Sequence, residues 1–192
     1  MNYKFILILF LILPFWGCDN EKNVDIHLLS NGIIINEINY NSSDNFDPDD
    51  WVEIYNNSDS TMDISLWYLK DQKDDNIFFI PSNTIISEGQ YIVLCKDTLK
   101  LLSCFPGIDI YFGNLEFGFS GGGDMIRLFD SDGLLVDQVE YDDSDPWPSL
   151  ADGSGPTLEL KNPNLDNAYW GNWSVSEGNG TPGLINSSYY GN

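Results

Sequence analysis

Positive charge is scarce in this chain: eight Lys plus Arg stand against thirty Asp plus Glu in 192 residues, for a formal net charge of −22. Nucleic acids are gripped by clustered Lys and Arg that neutralise phosphates and release counterions, so this composition excludes a nucleic-acid partner. Histidine is limited to His27 and cysteine to Cys18, Cys95 and Cys104, with no CxxC pair. A tetrahedral zinc set and the usual His-dependent nucleophilic triads therefore lack their parts. The Gly121–Gly123 run lacks the GxGxxG arrangement and βαβ setting of a phosphate cradle and reads as a turn. No apolar run reaches the roughly twenty residues that span a bilayer. What remains, 42% hydrophobic and 14% aromatic, is the make-up of a folded globular chain whose length suits one domain.

The N-terminus carries an address. Lys4 precedes an uncharged run from Phe5 to Trp16, then Gly17 and Cys18, with polar residues from Asp19 onward. This is the layout of an export signal. Phe15-Trp16-Gly17-Cys18 resembles a bacterial lipobox, although Phe15 and Trp16 are bulkier than that pattern usually has. The resemblance implies removal of residues 1–17, lipidation of Cys18 and tethering through residues 18–31. Two or more acyl chains hold a protein at a membrane where one does not. The expected place is the cell envelope, lipid-anchored and extracytoplasmic, with the leaflet open. An ordinary secreted protein with a free Cys18 is the alternative. An oxidising compartment permits one bridge, Cys95 with Cys104. Two separate buried thiols account for those residues equally well.

From Gly32 onward, short apolar runs alternate with Gly, Pro, Asn and Asp clusters, the pattern of an all-β chain. Expected strands are 33–40, 51–55, 64–69, 77–80, 91–94, 125–129, 134–139, 157–160 and 173–175. One short helix is expected over 98–105, with Leu99, Leu102 and Leu101 inward, stopped by Pro106 and Gly107. Asp130-Ser131-Asp132-Gly133 between two apolar runs predicts a hairpin. An EF-hand is excluded there, because aligning Gly133 with the sixth loop position puts Leu128 and Val139 where carboxylates are required. Many short strands over residues 32–186 suit a two-sheet sandwich with one core. Residues 187–192 read as a frayed tail.

The order of motifs along the exported part resembles the lamin tail domain family. It runs from Ile35-Asn36-Glu37-Ile38-Asn39-Tyr40 through Asp50-Trp51-Val52-Glu53-Ile54-Tyr55-Asn56-Asn57 to Asp63-Ile64-Ser65-Leu66-Trp67-Tyr68-Leu69. Gly89-Gln90-Tyr91-Ile92-Val93-Leu94, Val136-Asp137, Pro146-Trp147-Pro148 and Thr181-Pro182-Gly183 follow. The resemblance implies an immunoglobulin-like β-sandwich acting as a binding or scaffolding module. Leu66 departs from the family, which usually has Gly before the aromatic residue. The chromatin association of some nuclear members is not implied, since this acidic chain lacks the Lys and Arg for it.

Alternation within the strands places Glu37 with Ile33 and Ile35, and Glu53 with Trp51 and Tyr55. Such carboxylates are expected to be half-buried and to accept internal hydrogen bonds. Paired glutamates can also serve glycoside hydrolysis at the right separation, the enzyme alternative. The acidic connections 44–50, 71–75 and 142–145 raise a second alternative, a Ca²⁺ site with Asp44, Asp47, Asp49 and Asp50 as ligands; no other cofactor is expected. Trp147, between two prolines, and Trp170, beside Tyr169, are candidates for stacking on a glycan. The expected partners are the membrane and an extracytoplasmic protein or glycan.

Overall fold

The computed structural model describes residues 32–191. The signal over 1–17, Cys18, the tether 18–31 and Asn192 lie outside the described residues. Among the described residues no helix is long and apolar enough to cross a membrane.

Three sheets carry the chain. Strand β1 (Ile33–Asn39) is flanked by β2 (Trp51–Asn56) and β11 (Leu158–Leu160) in a six-stranded sheet. That sheet is completed by β7 (Tyr91–Cys95), β8 (Tyr111–Phe112) and β12 (Trp173–Val175), in the order β12-β11-β1-β2-β7-β8. A four-stranded sheet has the order β10-β9-β4-β5, formed by β4 (Tyr68–Lys70), β5 (Ile77–Phe79), β9 (Asp124–Phe129) and β10 (Leu135–Tyr141). A two-stranded ribbon pairs β3 (Met62–Asp63) with β6 (Ile85–Ile86). The main core includes Ile35, Ile38, Val52, Ile54, Ile92 and Leu94 of the larger sheet together with Leu69, Ile126, Leu128 and Val139 of the smaller. The all-β sandwich with one short helix expected from the sequence is the observed fold.

Strand β1 is buried at every position because both faces of its sheet are covered. Its inner face packs on the second sheet. Elsewhere on the sheet's outer face, β2 and β7 lie under α1 (Thr98–Cys104), where Trp51, Val93, Cys95, Leu101 and Ile108 form a second apolar cluster. The helix begins where the Asp97 carboxylate accepts from the backbone N–H groups of Leu99 and Lys100. That cap fixes the helix phase with Leu101 inward and leaves Leu99 80% exposed, so the expectation of an inward Leu99 is corrected.

The strand expected over 64–69 is broken in two. Trp67 N–H donates to Ile64 O at 3.2 Å, closing a turn with Leu66 at φ 62°, and the chain pairs as strand only from Tyr68. The hairpin after Phe129 forms as expected: Gly133 has φ 84°, and the Asp130 carboxylate accepts from the N–H groups of Asp132 and Leu134.

Candidate functional site

A row of three glutamates crosses the outer face of the larger sheet. Glu159 of β11 and Glu53 of β2 both lie directly opposite Glu37 of β1, one on each side. A register shift between Ile35 and Glu37 inserts Asn36 as a bulge. The bulge reverses the parity expected for Glu37, so that Glu37 faces outward beside the Asn36 amide while Ile35 and Ile38 stay in the core. All three glutamates are fully buried rather than half-buried. Their cover is a C-terminal strap, residues 177–188, laid across the sheet.

The strap is fastened largely through these carboxylates, with Asn186 adding bonds to Asn36 and Leu160. Glu37 Oε1 accepts from Thr157 Oγ1 at 2.6 Å and from Thr181 N at 3.0 Å. Glu53 accepts from the Asn36 amide at 2.9 Å and from Gly183 N at 2.5 Å. Glu159 accepts from Thr181 Oγ1 at 2.8 Å, Ser187 N at 3.1 Å and Ser188 N at 2.7 Å. Of the segment 187–192, expected to fray, Ser187 and Ser188 are held here, and Tyr190 is held where its N–H donates to Lys161 O. The tail had no apolar pattern to betray this, because its anchors are backbone and hydroxyl donors.

Burial first, and then the neighbouring Glu159, push the Glu37 carboxyl up to about 8. Burial and the proximity of Glu37 raise Glu53 well above the usual carboxylate range. Geometry agrees with a proton on Glu37. The Thr181 hydroxyl has one hydrogen, which goes to Glu159 at 2.8 Å, so its 3.4 Å contact with Glu37 Oε2 is satisfied when Oε2 carries the donor. With their oxygens engaged inside the protein, Glu37 and Glu53 serve as acceptors that hold the strap.

Three of the four aspartates considered as calcium ligands bond within the protein. Asp47 bonds Lys100 at 2.7 Å, and Asp49 bonds both Lys96 at 2.9 Å and Lys100 at 3.3 Å. The Lys100 hydrogen bond holds Asp47 below the usual carboxylate range. At Asp49, burial pushes upward, but bonds from Lys96, Asp50 N–H and Lys100 outweigh it and the carboxyl is lowered. Asp50 turns inward to Phe119 N–H at 2.8 Å, and burial raises it to about 6. Asp44 joins none of these bonds. Among the described residues no group of three or more His, Cys, Asp or Glu is arranged to hold a metal ion.

The remaining candidates separate. Trp147 is only 9% exposed and packs on Trp173, with ring centroids 6.0 Å apart, so it is not a surface platform. Trp170 is exposed beside Tyr169, with centroids at 5.1 Å. Cys95 and Cys104 are free thiols and the Cys95–Cys104 bridge is not formed. Cys95 lies beneath α1 in the second apolar cluster, and burial pushes its thiol up to about 11.

Beside the strap, Tyr55 and Tyr91 pack at 4.6 Å and, with Tyr189 and Ile185, line a cavity of about 160 Å³ floored by Asn36 and Asn186. No single sequence motif announces it, since its walls come from β2, β7 and the strap.

The lamin tail domain model matches residues 29–143, more than half of the chain. The chain belongs to the lamin tail domain family. No curated protein matches it. The lamin tail match ends within the loop after β10, so Glu159, β11, β12 and the strap lie beyond it while completing the same sheet. The turn at Leu66, where the lamin tail domain usually has Gly, keeps the positive φ that glycine adopts freely.

Proposed function

We propose that this lamin tail protein is an exported, lipid-anchored module of the cell envelope that binds or scaffolds other molecules without catalysing a reaction. The observation that carries the non-catalytic part is the enclosure of Glu37, Glu53 and Glu159. These are the chain's best-placed carboxylates for acid–base work, and their oxygens are taken by the strap and the neighbouring strands. A framework fastened in this way suits presentation of surface loops and aromatic side chains to a partner. The anchor rests on the Gly17-Cys18 junction after an uncharged run. The strong negative charge suits a place away from nucleic acid and disfavours self-association.

Feeding cells an alkyne fatty acid tests the anchor: the protein takes up label and sediments with membranes, and Cys18→Ser loses both. Recovery of unlabelled wild-type protein from the soluble cell interior refutes it. Cross-linking on intact cells tests the binding role, with discrete adducts expected on the exported protein. A glycan-binding version draws support from the exposed Trp170–Tyr169 pair. It predicts retention on a polysaccharide column that Trp170→Ala abolishes.

A further inference from the structure

The cavity between the strap and the larger sheet has an unusual balance of groups. Tyr55, Tyr91 and Tyr189 supply rings, Ile185, Leu160 and Pro163 supply apolar surface, and no Lys or Arg lines it. Its two amide side chains have their donors committed elsewhere. Asn36 Nδ2 donates to Glu53 at 2.9 Å and to Asn186 Oδ1 at 2.8 Å, and Asn186 Nδ2 donates to Leu160 O at 2.8 Å and to Asn36 O at 3.1 Å. Apart from phenol hydroxyls, the side chains offer an incoming group no hydrogen-bond donor, so an anion is poorly served. The cavity belongs to a protein of net charge −22.

We infer that this cavity binds a quaternary ammonium group, free or as the choline headgroup of a lipid, through cation–π contact with Tyr189 and with the outer side of the packed Tyr55–Tyr91 pair. Aromatic faces attract such cations through the ring quadrupole, and alkylated ammonium groups are only weakly hydrated competitors for water. The volume matches the roughly 150 Å³ of a cavity that takes one benzene ring, which accommodates a trimethylammonium group. Two of the lining residues, Ile185 and Tyr189, are also exposed, an amphipathic edge suited to the headgroup region of a bilayer. This assignment names a ligand for the binding role proposed above, and its failure would leave the cross-linking test of that role untouched.

Titration of the purified full-length protein with choline, followed by tyrosine fluorescence or NMR, tests it against the neutral isostere 3,3-dimethylbutan-1-ol. Choline is expected to bind about tenfold more tightly than the isostere, and added NaCl to weaken it. Tyr189→Ala, at a side chain already 46% exposed, should remove binding without unfolding the domain, whereas Tyr55→Phe and Tyr91→Phe, which keep the ring faces, should retain it. Equal affinity for the isostere, no choline binding at tens of millimolar, or unchanged binding in Tyr189→Ala overturns the inference. Phosphatidylcholine vesicles distinguish the sources: sedimentation with them that free choline reverses assigns the lipid headgroup, and choline binding without sedimentation assigns the free cation.

Discussion

Glu37 of β1 lies directly across the sheet from Glu53 of β2, both fully enclosed beneath the strap. Opposed residues in adjacent antiparallel strands stand about 5 Å apart at Cβ, where two like charges are destabilising. Burial first, and then Glu159, hold on Glu37 a proton that the unfolded chain releases near 4.5 and that the folded chain gives up only near 8. The stability tied to that proton is complete below about pH 4.5 and is lost as pH rises through 8. The free energy of unfolding should fall over this window by at most about 1.4 kcal/mol per pH unit for one proton, read as a falling melting temperature. Glu37→Gln, neutral at every pH, should flatten the fall. A melting temperature that rises between pH 5 and 8, or an unaltered slope in Glu37→Gln, would contradict this account.

Leu66 holds φ 62° at the third position of its turn and is 54% exposed. A left-handed conformation costs a non-glycine residue about 1 kcal/mol or more, while glycine adds about 0.4–1 kcal/mol of chain entropy to the unfolded state. With little apolar surface to lose, Leu66→Gly should be neutral to stabilising by up to about 1 kcal/mol. Urea denaturation measures it, and a clear loss of stability would show that the leucine side chain packs more than its exposure implies.

How far the sequence reveals this arrangement depends on whether a feature is local. The long strands β1, β2 and β7 are visible as apolar runs, and Glu37 and Glu53 stand out within them. Glu159 escapes because β11 is the three-residue Leu-Glu-Leu, although its alternation carries the same signal, a carboxylate between two core leucines. The pairs Met62–Asp63 and Ile85–Ile86 are too short for any periodicity. Asp47 and Asp49 resemble cation ligands until folding brings Lys96 and Lys100 to them from some fifty residues away. Trp147 looks like a surface residue between prolines, and only its contact with Trp173 shows otherwise.

Those lysines also set what removal of each aspartate should cost. The Asp47–Lys100 pair is about half exposed on both sides, so Asp47→Asn should lose less than about 1 kcal/mol, and less still in high salt. Asp50→Ala should lose about 1–3 kcal/mol, because Phe119 N–H is left without its buried acceptor. Thermal melts of both variants check the contrast. The same melts of the wild type with millimolar Ca²⁺ and then chelator should coincide, and a calcium-dependent rise would return the aspartates to the role of ligands.

The two described cysteines should differ in chemistry. Thiolate is the reactive form, and Cys95 combines complete burial with a thiol raised to about 11. Cys104 ends α1 and is partly open to solvent. Native iodoacetamide treatment at pH 8 should alkylate Cys104 while leaving Cys95 intact, and both should react after denaturation. The intact mass should be the same with and without prior reduction, since the two sulfurs are unbonded. A gain of two hydrogens on reduction, with neither thiol alkylated beforehand, would establish the Cys95–Cys104 bridge and require α1 to sit closer to β7 than it does here.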